Sequence, residues 1–320
     1  MLRQKIKWML LILGAVFCIT TASAIQRITG TIMLPTGIAE EYYLTLHDDY
    51  SPLFPPPILI GCHSYGSNYT EFSGTVFEEK ADTLGWMTLA ISGVPSTERG
   101  FVHWWSKRVQ QQLDIVLDSI MSRYPFDIDN MYIIGGSMGG AAGMQYNNNH
   151  LDPTGYMVRA TAGGSGIIDL ARRKREQGSN VSMMWEFGGV VDSVSDYVNF
   201  EYKRNSGVVF WDTTNSLHYN MMWMPLYQSS GVLEPHYIHD TDLVDLFGAQ
   251  MRSYRVDSTT GASHGWVNLH PDTTMNWFLN QPALNRHPTL QNIAADEPRR
   301  CYDIEFLSLY SDTNMARAII

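Results

Sequence analysis

The stretch that decides the fold is Met131-Tyr132-Ile133-Ile134-Gly135-Gly136-Ser137-Met138-Gly139-Gly140-Ala141-Ala142-Gly143-Met144. Its first four residues form a short apolar run of strand character and its last ones suit a helix, so the chain passes from strand through a glycine-rich turn into helix. The turn carries the pattern G-x-S-x-G on Gly135, Ser137 and Gly139. A nucleophilic serine must stand on a sharp turn with its hydroxyl exposed, and side chains two residues to either side would collide with neighbouring backbone. The N-terminus of the helix that follows faces any oxyanion formed there. A phosphate cradle is the competing reading of so many glycines, but no lysine follows as in a P-loop and the G-x-G-x-x-G spacing is absent.

Working outward, strands are predicted over 28–34, 42–46, 58–62, 85–91, 131–134, 158–162, 208–211 and 252–256. The run Ile58-Leu59-Ile60-Gly61-Cys62 is uniformly apolar, as a parallel strand buried on both faces should be. Val109, Leu113, Val116, Leu117, Ile120 and Met121 recur at helical spacing, and Pro125 ends that helix. Strands alternating with helices predict an α/β fold with a mostly parallel central sheet and helices on both faces.

Composition narrows the classes of function. With 22 Lys+Arg against 32 Asp+Glu the net charge is −10, so no basic excess exists to neutralise phosphates and nucleic acid is not an expected partner. At the N-terminus Arg3, Lys5 and Lys7 precede an apolar run over 8–19 and then Ala22-Ser23-Ala24, the pattern of a secretory signal cleaved after Ala24. The run is shorter than the roughly 20 residues that cross a bilayer, so a secreted or periplasmic protein is expected, with no membrane association once 1–24 is removed. Removal takes three positive charges and no negative ones, leaving −13. Of the cysteines only Cys62 and Cys301 then remain; one bridge between them is allowed, while the apolar surroundings of Cys62 suit a free buried thiol.

A serine hydroxyl needs a base, and the tetrahedral intermediate needs donors. His264, in the small-residue loop Gly261-Ala262-Ser263-His264-Gly265-Trp266 after the last predicted strand, is the candidate base. His236 and His239 with Asp240 and Asp242 are too loosely spaced for a convincing metal site. Backbone N–H groups of Met138, next to the serine, and of Tyr65, in the loop 62–67 after the 58–62 strand, are the candidate oxyanion donors. No cofactor is required for such chemistry. Trp104, Trp105, Trp185, Trp223 and Trp266 are candidates to line a cleft, and Arg172-Arg173-Lys174-Arg175 reads as a solvated helix face in so acidic a chain.

Leu59-Ile60-Gly61-Cys62-His63-Ser64-Tyr65-Gly66, Tyr124-Pro125-Phe126-Asp127-Ile128-Asp129, Gly135-Gly136-Ser137-Met138-Gly139-Gly140 and Ser263-His264-Gly265-Trp266 together resemble the α/β-hydrolase superfamily. Within it they are most similar to secreted esterases of the polyhydroxyalkanoate depolymerase and feruloyl esterase type, and the resemblance spans about residues 28–280 in order. It implies an α/β-hydrolase domain over 25–285 with a cap insertion at 166–207, and leaves 286–320 as a C-terminal extension. It also implies an acid after the strand preceding the last one, in the order Ser, Asp, His. The aligned position is Asn215, so Asp212, the nearest carboxylate, is the first choice and Asn215 the alternative. Where the family usually has His-Gly, this chain has His63-Ser64.

The implied activity is hydrolysis of a small-molecule or polymer carboxylic ester by Ser137, His264 and Asp212, with Tyr65 and Met138 at the oxyanion. A peptidase of the prolyl oligopeptidase type is the enzymatic alternative. A non-catalytic binding protein on the same fold, motivated by Asn215 and Ser64, is the alternative of another class.

Overall fold

A computed structural model describes residues 25–93, 101–177, 181–191, 195–311 and 313–320. The predicted signal, 1–24, lies outside the described residues, as do parts of the predicted cap. The described chain forms an eight-stranded sheet from β1 (Gln26–Met33), β2 (Ala39–Leu46), β3 (Ile58–Cys62), β4 (Met87–Ile91), β5 (Met131–Gly136), β6 (Ala160–Gly164), β7 (Leu226–Gly231) and β8 (Tyr254–Thr259). Their spatial order is β1-β2-β4-β3-β5-β6-β7-β8. β2 runs antiparallel to both β1 and β4, and every other neighbouring pair is parallel.

The helices are α1 (Val76–Thr83), α2 (Lys107–Arg123), α3 (Ala142–Asn149), α4 (Leu170–Gln177), α5 (Val181–Glu186), α6 (Asp196–Asn205), α7 (Tyr237–Phe247) and α8 (Pro271–Leu279). Because side chains alternate along a strand, Ile58, Ile60, Met131 and Ile133 enter one core with Val109, Leu113 and Val116 of α2. Leu59, Tyr132 and Ile134 enter a second core with Phe77 of α1 and Phe278 of α8. The uniformly apolar runs of β3 and β5 are thus what two-sided burial requires.

One sequence expectation is corrected. The predicted strand at 208–211 is no strand: Val208 and Val209 are fully buried, but Val208 N–H donates to Ile168 O and Phe210 N–H to an Asp169 carboxylate oxygen, outside any ladder. Its place in the sheet belongs to β7, Leu226-Tyr227-Gln228-Ser229-Ser230-Gly231, whose polar residues are all buried. Gln228 Nε2 donates to Gly140 O and Ser230 Oγ to Asp240, so buried partners take up part of the polarity that hides this strand from a hydropathy reading, while Gln228 Oε1 has none among the described residues. Cys62 and Cys301 are both buried and free, as the apolar surroundings of Cys62 suit.

After α8 the chain adds two small sheets, β9 (Asn292–Ala295) with β12 (Ala316–Ile319) and β10 (Arg299–Cys301) with β11 (Ile304–Phe306). Asn220 ties β9 to the main body by accepting from Ala294 N–H and donating to Ala294 O, and buried Asp296 accepts from Lys107 and Arg204. Among the described residues no helix is long and apolar enough to cross a membrane.

The two-faced sheet predicts a steep gradient of mutational cost. Ile60→Ala, on a fully buried central strand, should lower unfolding free energy by about 2–5 kcal/mol, and Ile28→Ala, half-buried on edge strand β1, by clearly less, as read from urea midpoints at constant slope.

Candidate active site

β5 delivers Ser137 to the carboxyl end of the sheet, where the chain turns sharply with Ser137 at φ 56°. This left-handed conformation is strained for a non-glycine residue and lifts the side chain off the turn. The flanking glycines make it possible: a Cβ on Gly135 would strike the Gly139 carbonyl, and one on Gly139 would strike the carbonyl of Cys62 at the end of β3. A Cβ on Gly136 would meet the Trp266 ring at 2.7 Å. A 3₁₀ turn, Ser137–Ala141, then leads into α3.

β8 leads into the loop that carries His264, which is 127 residues from Ser137 in sequence yet 2.7 Å away, Nε2 to Oγ. On its other side the imidazole meets Glu234, with Nδ1 at 3.2 and 3.1 Å from the two carboxylate oxygens. A carboxylate only accepts, so Nδ1 carries the proton and Nε2 accepts from the serine hydroxyl. Glu234 follows β7 in a turn closed by Glu234 N–H to Gly231 O, and is nearly fully buried. Its orientation is held by Ser165, whose Oγ donates to it at 2.7 Å and accepts in turn from Asn268 Nδ2 at 2.6 Å.

The expected acid, Asp212, is not at this place. Its carboxylate pairs with Lys203 Nζ at 2.6 Å and accepts from Thr214 and Asn215 N–H groups, closing a local turn. Burial opposes its ionisation, but Lys203 and the Asn215 N–H outweigh it and hold the carboxyl below its ordinary range. Asn215 belongs to that same turn, so neither candidate meets His264; the carboxylate that does is Glu234. Glu234 follows β7, the strand before the last of the main sheet, whereas Asp212 follows the 208–211 run that forms no strand.

The loop after β3 is held by a chain of neutral histidines. Trp105 N–H donates to His103 Nδ1, His103 Nε2 lies 3.0 Å from His63 Nε2, and His63 Nδ1 donates to Ser64 O at 2.8 Å. Burial pushes the proton affinity of both rings down, which keeps each a single donor. Fixing the Ser64 carbonyl fixes the peptide plane whose other end is the Tyr65 N–H. Ser64 itself is well used: its N–H donates to Glu71 and its Oγ to Gly136 O at 3.2 Å. Glu71 also accepts from Trp266 Nε1 at 3.1 Å, strapping this loop to the one that bears His264. Met138 N–H lies in the first turn after the strand, where no helical acceptor exists for it.

These groups open onto a cleft of about 560 Å³ lined by Tyr65, Trp104, Ile167, Arg173, Trp266 and others around Ser137 and His264. Of the five tryptophans expected as cleft candidates, Trp104 and Trp266 line it; Trp105 is core, Trp223 donates to Leu290 O, and Trp185 lies at a separate surface pocket. His236, His239, Asp240 and Asp242, too loosely spaced in sequence for a convincing metal site, are dispersed among separate partners: His239 bonds Glu176, Asp240 bonds Ser230 and Asp242 bonds Arg172. The donors that do converge, within 4.8 Å of one another, are Glu234, His236 and His264. Burial pushes His236 down to about 2, so it stays neutral beside His264 at 5.3 Å between rings.

No protein-family model and no curated protein sequence matches the chain. Solved structures do match. An S-formylglutathione hydrolase from Staphylococcus aureus superposes with a TM-score of 0.58 over 81% of this chain and 100% of its own, at 16% identity. A ferulic acid esterase gives 0.59 over 80% of this chain and 97% of its own, at 12% identity. A post-proline cleaving enzyme from Rickettsia typhi gives 0.56 over 80% of this chain but 36% of its own, at 15% identity. The sheet order and these superpositions define the chain as an α/β-hydrolase fold, as its motifs implied.

The buried surroundings of Glu234 predict a pH effect on stability. Burial, opposed by the Ser230 hydroxyl, raises Asp240 from 3.8 to about 7. The folded chain therefore retains a proton that the unfolded chain releases between roughly pH 4 and 7, and stability falls as pH rises through that window. Asp240→Asn should melt higher than the native chain at pH 8, with the gap closing toward pH 4; a gap independent of pH in thermal melts contradicts this.

Proposed function

We propose that the protein is a serine hydrolase of carboxylic esters, and the observation that carries the reading is the unbroken hydrogen-bonded series Ser137, His264, Glu234 at the mouth of the cleft. Ser137 Oγ attacks the ester carbonyl as His264 Nε2 takes its proton, and the Glu234 carboxylate stabilises the imidazolium. The N–H groups of Tyr65 and Met138 receive the oxyanion, the fixed Ser64–Tyr65 peptide plane making this donor preorganised. His264 returns the proton to the departing alcohol, leaving an acyl-enzyme that water hydrolyses by the same steps in reverse roles.

Esters rather than peptides are favoured because the chain spans the full length of the hydrolase and esterase it superposes on, and about a third of the post-proline enzyme. The binding-protein alternative loses its motives, since Asn215 lies away from His264 and Ser64 is bonded into the loop. The N-terminal pattern supports export, with the mature chain secreted or periplasmic.

A fluorophosphonate should add once to the mature protein, by intact mass, and not at all to Ser137→Ala. Glu234→Gln should lower kcat on aryl esters on the order of 10⁴-fold, while Asp212→Asn leaves it unchanged. Full labelling of Ser137→Ala removes the nucleophile assignment, and the opposite ranking of the two acid variants restores Asp212.

A further inference from the structure

The basic run Arg172-Arg173-Lys174-Arg175 is not the uniform solvated face its composition suggests. On α4 these residues point in different directions: Arg172 pairs with Asp242 and with Glu176, and Arg175 lies over the Trp211 ring at 5.2 Å. Arg173 instead lines the cleft together with Ser137 and His264. Its Nε and Nη1 are out of reach of solvent, and among the described residues they hydrogen-bond to nothing. Guanidinium donors left unpaired in a desolvated place are rare, because each forfeits its hydration without replacement.

The two carboxylates that act on Arg173 electrostatically are Glu176 and Glu234. Both are committed elsewhere: Glu176 accepts from Arg172 and His239, and Glu234 from His264 and Ser165. The rest of the cleft wall is largely apolar, with Trp104, Ile167, Trp266 and Val267, and the carboxylate that also lines it, Glu71, accepts from Ser64 N–H and Trp266 Nε1. An apolar cleft with one planar, fork-shaped cationic donor and no internal acceptor is complementary to an apolar ligand bearing one carboxylate.

We propose that Arg173 forms a subsite for a carboxylate on the substrate, so that the chain prefers esters carrying a free carboxylate over neutral esters of the same size. This rests on the ester-hydrolase reading for its reaction but not for its binding. The Arg173 guanidinium pairs the substrate carboxylate at its cleft-facing side, and the apolar wall covers the intervening chain. Nothing in the chemistry at Ser137 changes; the pairing sets which ester is held there.

The test compares mono-p-nitrophenyl glutarate with p-nitrophenyl butyrate as substrates. The native chain should favour the anionic ester in kcat/KM by about ten-fold or more, the worth of one charge-assisted pair, and Arg173→Gln should lower the ratio of the two by a similar factor, with Arg173→Lys between them. Calorimetric binding of monomethyl glutarate and methyl butyrate to Ser137→Ala, with and without Arg173→Gln, reads the same preference without turnover. Equal use of both esters, or an Arg173→Gln variant that loses both equally, overturns the proposal; the second result would make Arg173 a partner of Glu234 instead. If neither ester is turned over yet monomethyl glutarate binds in an Arg173-dependent way, the hydrolase reading falls and the subsite stands.

Discussion

Everything in the cleft is registered on one close approach of two backbones, where the turn leaving β5 passes over the end of β3. Only glycine at position 139 allows the turn to lie against the Cys62 carbonyl, and only glycine at 135 leaves room for the turn to fold back on itself. That approach sets Ser137, at its positive φ, beside the loop whose Tyr65 N–H is aimed by the His63 bond to Ser64 O. Parallel pairing of β3 with β5, from Ile58 against Met131 to Cys62 against Gly135, carries the registration from the core of the sheet to its edge. Packing in the core thereby becomes position at the site.

Electrostatics follow from the same placement. Glu234 is buried behind His264, and its oxygens are met there by donors from His264, Ser165 and, one bond further, Asn268. The neighbouring histidines are kept out of this balance by burial, which holds His236, His63 and His103 neutral, so His264 is the exposed ring of the group. Arg173 brings a guanidinium with unpaired donors, among the described residues, to the cleft wall, and it sits on α4, within the segment predicted as a cap. In the reaction proposed, the carboxyl end of the sheet would supply the chemistry and α4 the selectivity.

Much of this was legible in the residues. β3 is read to the residue from five apolar positions, and the turn at Ser137 from its glycines, because steric demands there admit few alternatives. His264 is found from its small-residue loop after a late strand. What escaped is β7, because Gln228, Ser229 and Ser230 look like loop until their buried partners are known. The apolar run at 208–211 competed with it and won on hydropathy alone. Glu234 was lost with that strand, although Gly231-Val232-Leu233-Glu234-Pro235, a carboxylate in a turn 30 residues before His264, carried a usable signal. Arg173 could not be singled out from four consecutive basic residues, since helix rotation alone decides which of them faces the cleft.

The claim on which the account rests is that His264 shares its Nδ1 proton with Glu234. Proton NMR of the native chain at low temperature tests it directly, because a proton held between imidazole and a buried carboxylate resonates well downfield of the amide envelope. The account predicts one such signal, coupled to ¹⁵N of His264, present in Asp212→Asn and absent from Glu234→Gln. A signal that survives Glu234→Gln and vanishes in Asp212→Asn would contradict it.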